Sequence, residues 1–122
     1  MALFRHERRR YPRVNDILRI SYQIGNDDLR YNCSSRDISE GGIRLNLYEN
    51  IKTGTAIKLG IHLEDVAQPC WTIARIVWIK GTPGRDYPFE AGIEFSVLAP
   101  DFRASIHNHI QSITNKRSGF AE

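Results

Sequence analysis

No apolar run in this 122-residue sequence is long enough to cross a bilayer, and the opening Met1-Ala2-Leu3-Phe4-Arg5 lacks the apolar core of a secretion signal. Both absences lead us to expect a cytoplasmic protein without membrane insertion. Cysteine is scarce: Cys33 and Cys70 fall on separate predicted strands with no metal spacing around them, so buried free thiols are expected. A phosphate-binding P-loop and a Gly-rich dinucleotide turn are both missing. Asp37, Ser39 and a histidine do not make a hydrolase triad, because nothing positions the histidine and no nucleophile elbow is present. His107 and His109 are two apart on a predicted helix and diverge, while His6 and His62 have no acidic or Cys partner at ligand spacing. These four are expected to be solvated surface histidines. The sequence therefore predicts no metal site, no cofactor and no enzyme.

What is present starts with charge. Of seventeen Lys and Arg residues, five lie between residues 5 and 13, against one acid there, Glu7, so this arm carries about +4. The rest of the chain is nearly neutral. A short cationic arm on a neutral body suits capture of a compact anion better than coating of DNA or RNA. Tyr11-Pro12 stiffens the arm ahead of Arg13, since proline fixes its own φ and biases the preceding residue toward an extended form. An extended arm places Arg9, Tyr11 and Arg13 on one side, and Arg8 and Arg10 on the other.

From Asp16 onward the hydrophobic pattern alternates, as in half-buried strands. Leu18, Ile20, Tyr22 and Ile24 share one face of a first strand. Turn residues Gly25-Asn26-Asp27-Asp28 lead to a second strand, about residues 29–38, which should pair with the first as an antiparallel hairpin. Ile43, Leu45 and Leu47 mark a third strand, and Ile57, Leu59, Ile61 and Leu63 a fourth. In the fifth, about residues 70–80, Trp71, Ile73, Val77 and Ile79 take one face and Ala74, Ile76 and Trp78 the other. Both faces are apolar, so this strand is expected to be central or covered by another element. The sixth carries Tyr87, Phe89, Ala91, Ile93 and Phe95 on one face.

After Phe95 the period changes to that of a helix, with Pro100 and Asp101 at its start and Phe102, Ile106, Ile110 and Ile113 on one stripe. The reading is all-β with a C-terminal helix, a six-stranded antiparallel β-barrel. It divides into a flexible basic arm at 1–13, a barrel with its helix at 14–114 (the helix about 99–114), and a frayed tail at 115–122.

Asp37-Ile38-Ser39-Glu40-Gly41-Gly42 supports two readings. It is a turn, in which Asp and Ser bond nearby backbone and the glycines permit unusual φ. It is also a polar cradle in which Asp37 and Ser39 bond a flat ligand and Gly41 and Gly42 let that ligand approach the backbone. Arginine pairs with O6 and N7 of guanine while a carboxylate accepts from its N1 and N2 hydrogens.

Arg9-x-x-x-Arg13 followed by Asp37-x-Ser39-x-x-Gly42 resembles the paired signature of PilZ domains, bacterial second-messenger receptors for cyclic di-GMP. Ala74-Arg75-Ile76-Val77-Trp78 and Gly92-Ile93-Glu94-Phe95 resemble that family's later strands. The resemblance covers about residues 5–112 and implies the family's β-barrel. It gives Arg9 and Arg13 the grip on guanine edges and phosphates, Asp37 and Ser39 the hold on guanine from the barrel, and Gly42 an open surface. Arg8, just before the first motif arginine, implies a stacked, intercalated ligand dimer. Arg5 and Arg10 would add phosphate contacts, and Trp78 either lies near the site or packs on its strand.

The expected function is a non-enzymatic sensor whose arm moves on binding cyclic di-GMP and signals to a protein effector, as a monomer or weak dimer. The alternative is a PilZ-like adaptor that works through protein contacts alone and binds no nucleotide. Binding of nucleic acid polymers through the arm is disfavoured by the neutral body.

Overall fold

The computed structural model describes residues 13–64 and 66–121, with helix side chains described as far as residue 115. Seven strands and one helix follow in order: β1 (Val14–Asn15), β2 (Arg19–Ile24), β3 (Tyr31–Ile38), β4 (Gly42–Leu47), β5 (Ala56–His62), β6 (Cys70–Gly81), β7 (Phe89–Val97) and α1 (Pro100–Ala121). Six of them form a ring in the order β3-β2-β5-β6-β7-β4, which closes because β4 also pairs with β3. All the pairings are antiparallel. Closure leaves these six strands no free edge, the arrangement expected from the alternating pattern.

The two-residue β1 was not anticipated. It runs along the same side of β3 as β2 does, with Val14 opposite Ile38, whereas Arg19 stands opposite Ser34. The break between β1 and β2 is stitched by Ser35, whose hydroxyl accepts from the Leu18 amide at 2.8 Å and donates to the Asp16 carbonyl at 2.6 Å. The first long strand therefore starts at Arg19, not Asp16.

The inward residues fill the barrel. Ile20, Leu45, Leu59, Ile61, Ala74 and Ala91 are fully buried, and Phe102, Ile106 and Ile110 of α1 join the same core. One stripe of the helix thus packs onto the barrel, as its period predicted. The helix runs to Ala121, past the expected end near 114 and through most of the stretch read as a frayed tail. That stretch contains no proline, and its only glycine is Gly119, so nothing stops the helix earlier.

The β6 expectation needs a correction. A register shift between Ile76 and Trp78 inserts Val77 as a bulge, so Trp78 joins Trp71 and Ile73 on the outer face instead of following Ala74 and Ile76 inward. The strand is paired on both edges, but its outer apolar side chains are exposed. Cys33 is buried and Cys70 half-buried, and both are free thiols. Burial pushes the Cys33 thiol pKa up to about 12.

Candidate functional site

A second bulge builds the site. Strict alternation would send Asp37 to the same side as Cys33 and Ser35, into the barrel. The register of β3 against β4 shifts between Ser35 and Asp37, and Asp37 comes to stand opposite Arg44 on the outer face. Its two carboxylate oxygens are then both engaged: Oδ1 with Arg13 Nη1 and Oδ2 with Arg44 Nη2, each at 2.6 Å. Asp37 is buried, while the two arginine side chains are 30% and 33% exposed, so cations roof a sunken carboxylate.

Arg44 reaches further. Its Nη1 lies 3.2 Å from Glu90 on β7, a carboxylate that is only 2% exposed. Arg36 Nε, at 3.2 Å, and Lys80 Nζ, at 3.5 Å, also approach Glu90, and Arg85 Nη1 stands 3.9 Å away. Cations outnumber carboxylates in this cluster, which leaves a positive surplus at the surface for an anion. The row Asp37, Arg44, Gly92, Trp78 crosses three strand pairs. Gly92 is needed there, because a Cβ would fall 2.1 Å from the Trp78 indole nitrogen. Trp78 therefore lies on the Gly92 backbone beside Arg44 and carries Lys80 5.7 Å from its ring centroid.

A groove of about 1060 Å³ opens alongside. Its walls are Asn15, Asp16 and Ile17 after the arm, Ser34, Ser35 and Arg36 of β3, Arg44 and Asn46 of β4, and Gly84, Arg85, Asp86 and Tyr87 of the β6–β7 loop. Asn46 donates to Ser34 at 3.1 Å, and the Tyr48 and Tyr87 rings meet at 4.7 Å between centroids. The hydrogen bond to Tyr87 raises the Tyr48 hydroxyl pKa above its ordinary value. The groove is large enough for a dinucleotide and offers guanidinium, amide and aromatic groups together.

Of the residues singled out from the sequence, Arg13 and Asp37 are in direct contact, and Trp78 lies three strands from Asp37, with β4 and β7 between them. Arg5, Arg8, Arg9 and Arg10 lie outside the described residues. Ser39 and the glycines have local work. The Ser39 hydroxyl accepts from the amides of Gly41 and Gly42, both at 3.2 Å, and approaches the Gly42 carbonyl at 3.3 Å. A Cβ on Gly42 would sit 2.2 Å from the Ile93 carbonyl oxygen, so its absence lets β4 approach β7. Gly41 accepts through its carbonyl from the Phe95 amide at 3.1 Å.

The histidine expectation also changes. His109 is buried on α1 and bonds Asp16, and His107 pairs with Glu40 at 2.9 Å. Both partners are distant in sequence, beyond the reach of spacing rules. Ser21 lies 3.2 Å from His62, whose pKa is lowered by burial and then by Arg19. Sequence reasoning missed Arg36, Arg44, Lys80, Arg85 and Glu90. The one local signal was Arg44 alternating with Ile43 and Leu45, which put it on a surface face.

A profile of the PilZ domain matches residues 7–112. The chain belongs to the PilZ domain family. Solved PilZ-type structures have the same fold. The Bacillus subtilis inhibitor of motility MotI/DgrA is 26% identical, with a TM-score of 0.74 over 90% of this chain and 53% of its own. The PilZ domain of Escherichia coli YcgR, solved with c-di-GMP, is 15% identical, with a TM-score of 0.70 over 93% of this chain and 97% of its own. MrkH of K. pneumonia, also a c-di-GMP complex, is 15% identical, with a TM-score of 0.70 over 91% of this chain and 54% of its own. This chain thus spans about half the length of MotI and of MrkH. No curated protein matches the sequence.

Proposed function

We propose that this PilZ domain is a receptor for cyclic di-GMP and has no catalytic role. The observation that carries the reading is the meeting of the two motifs: Arg13 and Asp37, 24 residues apart, join at 2.6 Å beside a cation-lined groove. The c-di-GMP named with the YcgR and MrkH structures supports the same ligand here.

The ion pair suggests how binding proceeds. Asp37 is occupied by two guanidinium groups, so a guanine that offers its N1 and N2 hydrogens must displace one of them. Arg44 is braced by Glu90, whereas Arg13 sits on the chain that leads to the arm, and Arg13 is the one to yield. Released, it turns to O6 and N7 of the same guanine, an exchange that keeps the carboxylate satisfied. The remaining arm arginines, Arg5, Arg8, Arg9 and Arg10, then close over the phosphates, with Arg8 favouring a stacked ligand pair. The arm's new position is what a protein effector reads.

A second reading draws on the DxSxxG turn: Ser39 and Gly42 are both used by the fold itself, as an adaptor that binds no nucleotide would also require. Calorimetric titration with cyclic di-GMP separates the two. Arg9→Ala and Arg13→Ala should each cost about 1–3 kcal/mol of binding, with two ligands per chain in the unaltered protein. Unchanged affinity in both variants would overturn the receptor assignment, and no heat in the unaltered protein would favour the adaptor.

A further inference from the structure

Away from the groove, the outer face of β5, β6 and β7 carries an apolar patch that no described part of the chain covers. Trp71 is 42% exposed, Ile73 49% and Val97 67%. They are neighbours by register: Ile73 stands opposite Val97 on β7 and Lys58 on β5, and Trp71 opposite Gly60. The indole lies along the sheet on Gly60, so close that a Cβ there would be 2.9 Å from the ring. The Arg30 guanidinium stands 4.8 Å from the ring centroid. Trp71 is thus a seated anchor, not a freely moving side chain.

Beside it is a hollow of about 240 Å³, room for one or two side chains, lined by Gln23, Arg30, Lys58, Trp71, Thr72 and Ile73. Two of those residues are cations and none is an acid. Glu94, the carboxylate on the adjoining stretch of β7, is already paired with Arg75 at 3.1 Å. A seated tryptophan with arginine, next to contiguous exposed Ile and Val, is the make-up of an interface centre. We infer that this face docks a protein segment presenting an apolar side chain between carboxylates. The apolar group enters the hollow and its acidic neighbours meet Arg30 and Lys58. A bilayer fits less well, because membrane anchoring uses rings that protrude, and this one lies flat on the sheet. Trp78, in the nucleotide site, is on the same strand roughly 23 Å away, so both places can be filled at once.

The test uses the full chain without nucleotide, so its outcome is independent of the receptor reading. Two capped hexapeptides serve as probes at millimolar concentration, Glu-Glu-Leu-Phe-Glu-Glu and Lys-Lys-Leu-Phe-Lys-Lys, with amide chemical shifts as the readout. The acidic peptide should shift the Trp71 indole and the amides of Lys58, Ile73 and Val97 in a saturable way, and the basic one should not. Lys58→Glu should weaken the acidic peptide about tenfold, and Trp71→Ala should abolish its effect. Ile73→Ser, at an exposed site, is the second variant should Trp71→Ala disturb the sheet over Gly60. No shift at these residues, an equal response to both peptides, or shifts confined to Arg36, Arg44 and Arg85 would overturn the inference. So would broadening of Trp71 by phosphatidylglycerol vesicles with no response to either peptide.

Discussion

Gly42 lacks a side chain because β7 occupies the space: the Ile93 carbonyl oxygen is 2.2 Å from where a Cβ would be. Backbone, unlike a flexible side chain, cannot swing aside. Gly42→Ala is therefore expected to force β4 and β7 apart and lower stability by about 1–3 kcal/mol, measured as a lower denaturant midpoint. A midpoint equal to that of the unaltered protein would show that the strands separate without cost. The spacing of Asp37, Ser39 and Gly42 was legible in the sequence, and the resemblance set Arg13 and Asp37 at one ligand, but their direct ion pair is visible only in the fold. The reason for the glycine was not, because the atom that demands it is more than fifty positions away. Glu90 and Arg36 stayed hidden for the same kind of reason. Each occupies an ordinary position on its own strand, and only the pairing of β3, β4 and β7 brings their charges within 3.2 Å.

Among the elements, the strands were readable where the period of two held, and β6 was misread where it slipped. β2, β4 and β5 keep their alternation, with Ile20, Leu45 and Leu59 inward as expected. The bulges at 35–37 and 76–78 each advance the phase by one residue. They turn outward the two side chains, Asp37 and Trp78, on which the site reading depends. No feature of Ser35-Arg36-Asp37 or Ile76-Val77-Trp78 marks these slips; they follow from fitting the strands around a closed barrel. The helix was easier, since its stripe has a single phase. Ile106, fully buried at the middle of that stripe, ties α1 to the barrel. Ile106→Ala should cost about 2–5 kcal/mol, while Ala104→Ser on the exposed side should change stability by less than about 0.5 kcal/mol. Equal, small effects on the denaturation midpoint would mean that α1 docks without its apolar stripe.

For the whole molecule, the distribution of charge joins fold to function. A ring of strands with an apolar interior needs no carboxylate on its surface to be neutralised by so many cations, yet Asp37 and Glu90 are sunk beneath Arg13, Arg36, Arg44, Lys80 and Arg85. The like charges around the groove repel one another, and a bound dianion relieves that repulsion as it forms its own contacts. Binding and stability are therefore linked. At cyclic di-GMP one hundred times its dissociation constant, one occupied site adds about 2.7 kcal/mol, which raises the unfolding temperature of a domain this size by about 10 °C. Arg13→Ala removes the proposed ligand contact together with one of the two partners of Asp37, so its unliganded Tm should fall slightly while Arg44 continues to hold the carboxylate. If that substitution weakens binding tenfold, the same ligand concentration adds about 1.4 kcal/mol, and the rise shrinks to about 5 °C. Thermal melts of both proteins, each compared with its own unliganded form, measure the two effects separately. A ligand-induced rise as large in Arg13→Ala as in the unaltered chain would remove Arg13 from the binding set and leave its pairing with Asp37 as a purely structural contact.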